Sequence, residues 1–316
     1  MLNRAVLGFL AFVTFSPAVA QQYPDKPLRV IVPAQAGGAA DVVMRKMGAK
    51  MTETWRQQVV IDNRPGVVGV DIAAHAAPNG YTIMFTPDSL ILREAVYEVP
   101  PYRTLRDFAS VTLAVLQPQV MMVQPSLPVR NVQDFIALAK AKPGQLNYGS
   151  AGNGTVQHLA GELLNMLAGI KLVHVPYKGV PQAVTDVIGG HVQCTFGSPV
   201  GVLPHVRENR LRLLAVTSAR RAVALPDVPT IAESGVPGYG FTGWLGMFAP
   251  KGTPGTIIEK LQRETVRIMR EPDMKQLLEV SGAESLANTP AEFEASLKDE
   301  IARWTQVARK AGIKVE

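Results

Sequence analysis

Residues 28–41 read LRVIVPAQAGGAAD, and they set the fold class of this 316-residue chain. The β-branched run that ends at Pro33 predicts a strand. Val43, Met47 and Met51 then recur every four residues, which predicts one face of a helix. A strand, a glycine-rich turn and a helix N-terminus therefore follow one another directly.

The same order returns in the middle of the chain, where residues 146–155 read LNYGSAGNGT. Leu159, Leu163 and Met166 mark the apolar face of the helix that follows. Strand and helix signals alternate elsewhere too, which predicts an α/β fold with mostly parallel strands. Further strands are predicted at residues 59–62, 82–86, 172–176 and 211–216, and helices at 256–270, 273–280 and 291–311, so that the chain ends in a helical region.

Each glycine-rich turn has the chemistry of an anion site. The first turn of a helix leaves about four N–H groups without intrahelical partners, and the helix dipole adds about half a positive charge there. We expect two such ends, facing each other across a cleft, to bind one carboxylate ligand. The expected donors are the amides of Gly37, Gly38, Gly152 and Gly154 and the hydroxyls of Ser150 and Thr155. Two ordinary strand–helix connections remain the alternative interpretation.

Two apolar stretches, residues 111–123 and 238–249, are placed to cross between two lobes. Two crossings make the first lobe discontinuous, with residues 21–116 plus 240–316 in lobe 1 and residues 117–239 in lobe 2. A mature chain of about 300 residues is large for a single hydrophobic core and sufficient for two domains.

The N-terminus predicts a signal peptide, residues 1–20. Arg4 is followed by an apolar run over residues 5–15, by Pro17 and by the small-x-small cleavage pattern of residues 18–20. The run is too short to cross a bilayer core of about 30 Å. We therefore expect cleavage after Ala20 and a secreted, periplasmic protein.

Composition excludes several classes of site. The formal net charge is +6, but no basic run is interleaved with aromatic residues, so no nucleic acid partner is expected. Cys194 is the only cysteine, which excludes an intrachain disulfide and a cysteine metal cluster. The five histidines are dispersed, and neither the dinucleotide fingerprint nor the phosphate-binding loop is complete, so no metal and no cofactors are expected.

The chain also resembles the Bug family, the extracytoplasmic solute receptors of tripartite tricarboxylate transporters. The matching stretches follow the family's order along nearly the whole mature chain and include residues 23–24, 26–33, 37–38, 41, 63–66 (NRPG), 78–82 (PNGYT), 146–154, 174–179 (HVPYKG) and 225–230 (LPDVPT). The resemblance implies a periplasmic-binding-protein type II fold, with two α/β lobes joined by two crossing segments. It also implies a receptor, not an enzyme, that delivers a small carboxylate to the membrane subunits of the transporter, and we expect a monomer.

By the same resemblance, ligand contacts come from both turns and from the second lobe. The implied contacts are Ala36, Gly37, Gly38 and Asp41 in the first turn, Ser150, Gly152, Asn153, Gly154 and Thr155 in the second, and Tyr177 beyond it. Thr86, Ser89 and Ser198 are expected to shape the pocket. Gly197 and Ser198 follow Phe196, where family members often carry an acid. That difference disfavours an amino-acid ligand. We expect a di- or tricarboxylate or an aromatic acid.

Several roles and two other functions stay open. Asp41 can stabilise the helix dipole, orient loop amides, or meet a ligand hydroxyl or ammonium group. His158 can reach back to the second turn, and Trp244 can be a packing residue or a ligand contact. A secreted hydrolase using Ser150 and His158 is one alternative function, although the nucleophile elbow lacks its first glycine. A ligand sensor coupled to a membrane kinase is the other.

Overall fold

The computed structural model describes residues 23–313. The predicted signal peptide and its cleavage after Ala20 lie outside the described residues. Within residues 23–313, no helix combines the length and the apolarity needed to traverse a membrane.

The described part of the chain alternates strands and helices, and the strands form two sheets. The strands are β1 (Leu28–Val32), β2 (Val59–Asn63), β3 (Thr82–Pro87), β4 (Phe108–Gln117), β5 (Val120–Val123), β6 (Asn147–Ser150), β7 (Val173–Pro176), β8 (Cys194–Gly197), β9 (Arg212–Val216), β10 (Gly243–Pro250) and β11 (Glu284–Ser285). The helices are α1 (Ala39–Trp55), α2 (Val67–Ala74), α3 (Ser89–Val96), α4 (Thr104–Asp107), α5 (Val132–Ala141), α6 (Val156–Ala168), α7 (Val180–Ile188), α8 (Pro199–Arg207), α9 (Gly255–Met269), α10 (Pro272–Val280) and α11 (Pro290–Ala311).

The first sheet has six strands in the order β11-β4-β10-β3-β1-β2. β1 runs parallel to β2 and β3, while β10 is antiparallel to β3 and β4. Because parallel neighbours end at the same edge of a sheet, the segments that follow β1, β2 and β3 lie along one edge. That edge carries the first glycine-rich turn and the start of α3.

The second sheet has five strands in the order β7-β6-β8-β5-β9. β6 pairs in parallel with β7 and β8, and β5 is antiparallel to β8 and β9. The segments that follow β6, β7 and β8 therefore share an edge. That edge carries the second glycine-rich turn, residues 177–179 and Ser198.

Two connections join the sheets. β4 passes into β5 through residues 118–119, and β9 passes into β10 through residues 217–242. The connections are tied together where the Thr217 amide donates to Gln119 O at 2.9 Å and the Gln119 amide donates to Thr217 Oγ1 at 3.1 Å. The predicted two-lobed α/β fold with two crossing segments is confirmed.

Buried helix faces follow the apolar spacing that predicts them. In α1, Val43, Met47 and Met51 are at most 4% exposed, and burying each such side chain stabilises the fold by about 1.5–3 kcal/mol. Trp55, the next residue in this four-residue spacing, is only partly buried. The face therefore loses contact with the core at its C-terminal end, one residue before the left-handed cap at Arg56.

The C-terminal helix α11 contacts both lobes. It begins at Pro290, after a capping box between Thr289 and Glu292. It packs against α3 and β4 of the first lobe and against α6 of the second. Trp304 shares one apolar cluster with Leu163 of α6, so the core is continuous between the lobes along this helix.

Candidate functional site

The first glycine-rich turn is ordered by Asp41, the third residue of α1. Asp41 is 3% exposed, and its Oδ2 accepts a 2.8 Å hydrogen bond from the Gly37 amide. The Nε of Arg45 donates to the same oxygen at 3.0 Å. Burial raises the pKa of Asp41, but the hydrogen bonds from Arg45 and Gly37 outweigh it, so the pKa lies below its ordinary value and the carboxylate stays charged. Asp41 thus orients a loop amide, one of the roles left open by the sequence.

The second glycine-rich turn is closed on itself by two hydroxyls. Ser150 is fully buried, and its Oγ accepts from the Gly152 amide at 3.0 Å. The Thr155 hydroxyl donates to Gly152 O at 2.7 Å. In this conformation both hydroxyls hold the turn together, in place of the predicted donation to a ligand.

Two stacked histidines pack against the second turn. His158, in α6, accepts a 3.1 Å hydrogen bond from the Gly154 amide at Nδ1, so the prediction that it reaches back to the turn is confirmed. His174, in β7, places Nε2 2.5 Å from Ser150 Oγ. The two rings lie 3.7 Å apart between centroids, with 8° between their planes. Burial lowers the pKa of both imidazoles to about 4, so the pair is neutral at pH 7.

Sequence reasoning missed His174. It lies 24 residues from Ser150, and the parallel register of β6 and β7, which pairs it with Tyr148, brings it to the turn. Its place in the HVPYKG stretch was the only available signal. Ser150 therefore meets His174, whereas the hydrolase alternative paired it with His158, and its hydroxyl is buried away from any incoming substrate.

The four glycine amides expected to bind the ligand are all occupied within their own turns. Gly37 donates to Asp41, Gly38 to Gln35 O at 3.2 Å, Gly152 to Ser150 and Gly154 to His158. In this conformation acceptors in each turn, or in the helix that follows it, satisfy these N–H groups, so their donation to a ligand stays a prediction. Gly37 and Gly154 provide the left-handed backbone of the turns, with φ of +80° and +70°.

Unpaired donors lie slightly further along, in the first turn of each helix. In α1 the amides of Ala39, Ala40 and Asp41 have no partner among residues 23–313, and in α6 the same holds for the amides of Val156, Gln157 and His158. The first intrahelical bonds run from Val42 N to Gly38 O and from Leu159 N to Thr155 O. α6 has no acid in its first turn, and the acid of α1 is paired with Arg45. Each helix therefore presents the amides and the dipole that bind an anion.

The other predicted residues of the first lobe differ in their exposure. Ala36 is exposed at the tip of the first turn, and Ser89 is partly exposed at the start of α3. Thr86 is 1% exposed, and its hydroxyl donates to Pro87 O at 3.1 Å. All three lie at the carboxyl ends of β1 and β3, but Thr86 has its hydroxyl turned to the backbone.

In the second lobe, the predicted residues share the loop edge. Asn153 is exposed, and Ser198 is partly exposed as the N-cap of α8. Tyr177 packs on the β6 backbone, where a Cβ built on Gly149 would lie 3.2 Å from its ring. Its hydroxyl donates to Asp186 Oδ2 at 2.6 Å. Tyr177 therefore lines the edge with its ring and keeps its hydroxyl paired.

The two lobes touch beside these loops. A Cβ built on Gly154 would lie 2.9 Å from Val96 Cγ2, at the end of α3. A Cβ built on Gly282, before β11, would lie 2.7 Å from the Cβ of Pro199, the residue after Ser198. The loops after β6 and β8 are thus both in contact with the first lobe.

Trp244 is a packing residue at the start of β10. It is 1% exposed, and its Nε1 donates to Glu300 Oε2 at 3.0 Å. The neighbouring Asp88 is also buried, and its amide donates to Trp244 O. Burial and the nearby Glu300 raise the pKa of Asp88 well above its usual range, and burial raises that of Glu300 to about 7.

Comparison with known proteins places this geometry among receptors. A family model described as the tripartite tricarboxylate transporter family receptor matches residues 43–313. Protein BugT of Bordetella pertussis is 34% identical over 319 residues, covering 99% of this chain and 98% of BugT. Among solved structures, an R. palustris protein with adipate has a TM-score of 0.80 at 32% identity, covering 92% of this chain and 99% of its own. MatC from Rhodopseudomonas palustris with bound malate has a TM-score of 0.77 at 29% identity, covering 90% of this chain and 100% of its own.

Proposed function

Because the chain belongs to the tripartite tricarboxylate transporter receptor family, whose members are periplasmic solute-binding receptors and not enzymes, we propose that it binds a small carboxylate between its lobes. The chain has the two-lobed type II periplasmic-binding fold of these receptors. Neither the hydrolase nor the kinase-coupled sensor has support from the comparisons.

One observation carries the proposal. α1 and α6, one in each lobe, begin directly after a glycine-rich turn, and each leaves three first-turn amides unpaired within residues 23–313. Two helix N-termini of this kind can bind two negatively charged groups, or one group from two sides. Backbone amides can orient a bound ligand through hydrogen bonds alone. No covalent bond to the ligand is needed, which suits a receptor that must release it again.

We propose a di- or tricarboxylate or an aromatic acid as the ligand class. Two helix N-termini on opposite lobes suit a ligand with a carboxylate at each end. The relatives solved with adipate and with malate are consistent with such a ligand. The Gly197-Ser198 pair provides no acid for a ligand ammonium group, which disfavours amino acids.

The proposed site consists of the amides that bind the carboxylates and of the residues that surround them. The first-turn amides of α1 and α6 bind the carboxylates, and the turns that carry them hold their shape through their own hydrogen bonds. The proposed site is completed by Ala36, Gly37, Gly38, Asp41, Thr86, Ser89, Ser150, Gly152, Asn153, Gly154, Thr155, Tyr177 and Ser198. Lobe boundaries at residues 21–116 plus 240–316 and at 117–239 are proposed with it, since the two sheets draw their strands from residues 28–117 with 243–285 and from 120–216.

We propose that the receptor is a monomer that passes its ligand to the membrane subunits of a tripartite tricarboxylate transporter. We also propose cleavage after Ala20 and release into the periplasm. The family match supports the transporter partner and the compartment.

A thermal-shift screen of residues 21–316 tests the ligand class. The panel contains adipate, malate, citrate, benzoate, aspartate and glucose. A ligand at about 100 times its Kd adds about 2.7 kcal/mol to the free energy of unfolding, which corresponds to a rise in Tm of roughly 5 °C for a chain of this size. A shift with adipate, malate, citrate or benzoate and not with glucose supports the proposal. A shift with glucose alone would show that the two helix N-termini are not the ligand site. A shift with aspartate alone would contradict the proposed ligand class, because aspartate carries an ammonium group beside its two carboxylates.

A further inference from the structure

The stacked histidines connect the second turn to α6, to β7 and, through Gly154, to the first lobe. His158 lies in the first turn of α6, and its backbone N–H is one of the unpaired donors. Its ring accepts from the Gly154 amide, and Gly154 touches Val96 of the first lobe. His174 extends the stack to Ser150 from β7. A change in the protonation or position of either ring would therefore alter the hydrogen bonds that shape the backbone of the second turn.

The hydrogen bond from Gly154 fixes the chemistry of His158. Because an amide N–H donates to Nδ1, that nitrogen must be unprotonated. A proton on Nδ1 would replace the acceptor with a second donor, and the bond from Gly154 would be lost. Two protonated imidazoles at a centroid distance of 3.7 Å would also repel each other.

The groups around the stack do not provide a counter-charge to either ring. Tyr148, on β6, lies 5.0 Å from the His174 ring, and its hydroxyl donates to Glu162 of α6 at 2.7 Å. Cys194, on β8, is buried beside Tyr148, and burial keeps its thiol protonated. Tyr239, on the second crossing segment, is buried and donates to Ala160 O of α6. Among residues 23–313 no carboxylate pairs with either imidazole, and burial holds the pKa of both near 4.

We propose that His158 and His174 are positioning residues, a neutral stacked pair that holds the second turn in its ligand-binding shape and releases it when protonated. This inference rests on the proposed function, because it gives the second turn a role in ligand binding. The neutral pair preserves the turn at pH 7. Acidification removes the acceptor for Gly154 and separates the rings, so the carboxylate affinity falls.

Two substitutions separate the acceptor from the charge. His158→Asn keeps an oxygen near the position of Nδ1 and cannot take up a proton. His158→Phe keeps a flat ring for the stack and has no acceptor. The Gly154 amide is followed by hydrogen exchange in ligand-free protein labelled with [15N]glycine, between pH 7 and pH 3.5, with far-UV circular dichroism as the check on folding.

In the wild type, protection of the Gly154 amide should fall by about tenfold or more across the titration of the pair, as expected for one lost buried hydrogen bond. His158→Asn should keep that protection to low pH, and His158→Phe should lack it at every pH. Protection in folded wild type that is independent of pH, or retained in His158→Phe, would overturn the inference. If His158→Phe does not fold, the comparison of wild type with His158→Asn still decides it.

Affinity for malate and adipate at pH 7 and pH 4, measured in the wild type and in His158→Asn, distinguishes the two proposals. Protonation of the ligand itself lowers affinity equally in both proteins, so a larger loss at pH 4 in the wild type supports the positioning role. If the Gly154 amide behaves as expected but the thermal-shift panel detects no carboxylate, the proposed function fails and the role of the histidine pair in holding the turn stands. If affinity changes equally in both proteins, the positioning role fails and the receptor function stands.

Discussion

Proline at the first residue of a helix removes one amide donor without disturbing the helix, and this allows a direct test of the two helix N-termini. Ala39 and Val156 are the first residues of α1 and α6. Proline is favoured at this position because its N–H has no intrahelical partner to lose. The preceding residues are extended, as proline requires, with φ −73° and ψ 167° at Gly38 and φ −82° and ψ 162° at Thr155.

The expected loss follows from the strength of one hydrogen bond to a carboxylate. Such a bond contributes about 1.5–3 kcal/mol, so Ala39→Pro and Val156→Pro should each raise Kd by roughly 10- to 150-fold. If one ligand spans both helices, the two losses should add in the double variant, because the sites are on different lobes. Isothermal titration calorimetry with malate or adipate measures these values.

Gly255→Pro is the matched control. Gly255 is the exposed first residue of α9, and a Cβ there has no atom within 4 Å. It removes the same kind of amide from a helix outside the proposed site, so Kd should not change. If Ala39→Pro and Val156→Pro fold normally and both keep Kd within about twofold of the wild type, first-turn amides do not bind the ligand and the account of the site is refuted.

Three further predictions concern the second turn. Gly154→Ala should lower the free energy of unfolding by about 2 kcal/mol or more, because it combines a φ of +70° with a Cβ 2.9 Å from Val96; a urea double-mutant cycle with Val96→Ala should recover the steric part, and no recovery would contradict the contact. Ser150→Ala should lower the free energy of unfolding by about 0.5–1.5 kcal/mol in a urea titration, since it leaves the partly buried amide of Gly152 without its acceptor, and an unchanged midpoint would contradict that hydrogen bond. The pKa of His158 is about 4 in the folded protein and 6.5 in the unfolded chain. The unfolded chain therefore binds more protons between these values, and the contribution of His158 to the free energy of unfolding falls by about 3 kcal/mol from pH 7 to pH 4. Glu300, with its pKa raised to about 7, changes the stability in the opposite direction. The effect of His158 is therefore measured as the difference in the free energy of unfolding between wild type and His158→Asn, and this difference should change with pH.

Apolar spacing predicts the elements that position the site, because it acts within a single segment. The predicted strands at residues 59–62 and 82–86 correspond to β2 and β3, and the predicted helix at 291–311 corresponds to α11. Short helices such as α3 and α8 have no long apolar period and are not predicted. The first crossing, residues 118–119, lies inside its predicted apolar run at 111–123. The second connection starts at residue 217, well before the predicted run at 238–249, most of which is β10.

The donors of the turns are harder to predict than the turns themselves. The bond from Gly37 to Asp41 spans four residues and is within reach of sequence reasoning. The contact between Ser150 and His174 spans 24 residues and depends on the register of β6 with β7. Whether an amide is free is decided by such acceptors, so the sequence predicts glycine donors where the structure has them paired. The resemblance to the family indicates which residues lie near the ligand, but it does not indicate which of their N–H groups are already hydrogen-bonded.

The packing of α11 limits how the lobes can move during capture. Val307 of α11 shares an apolar cluster with Leu159 of α6, and α11 also packs on α3 and β4. Separating the lobes along this helix would expose apolar surface to water, at a free-energy cost of about 25 cal/mol per Å². We therefore expect a lobe movement that keeps α6 against α11 and separates Gly282 from Pro199. On this expectation, the distance between Gly282 and Pro199 changes with the ligand state and the contact between α6 and α11 does not.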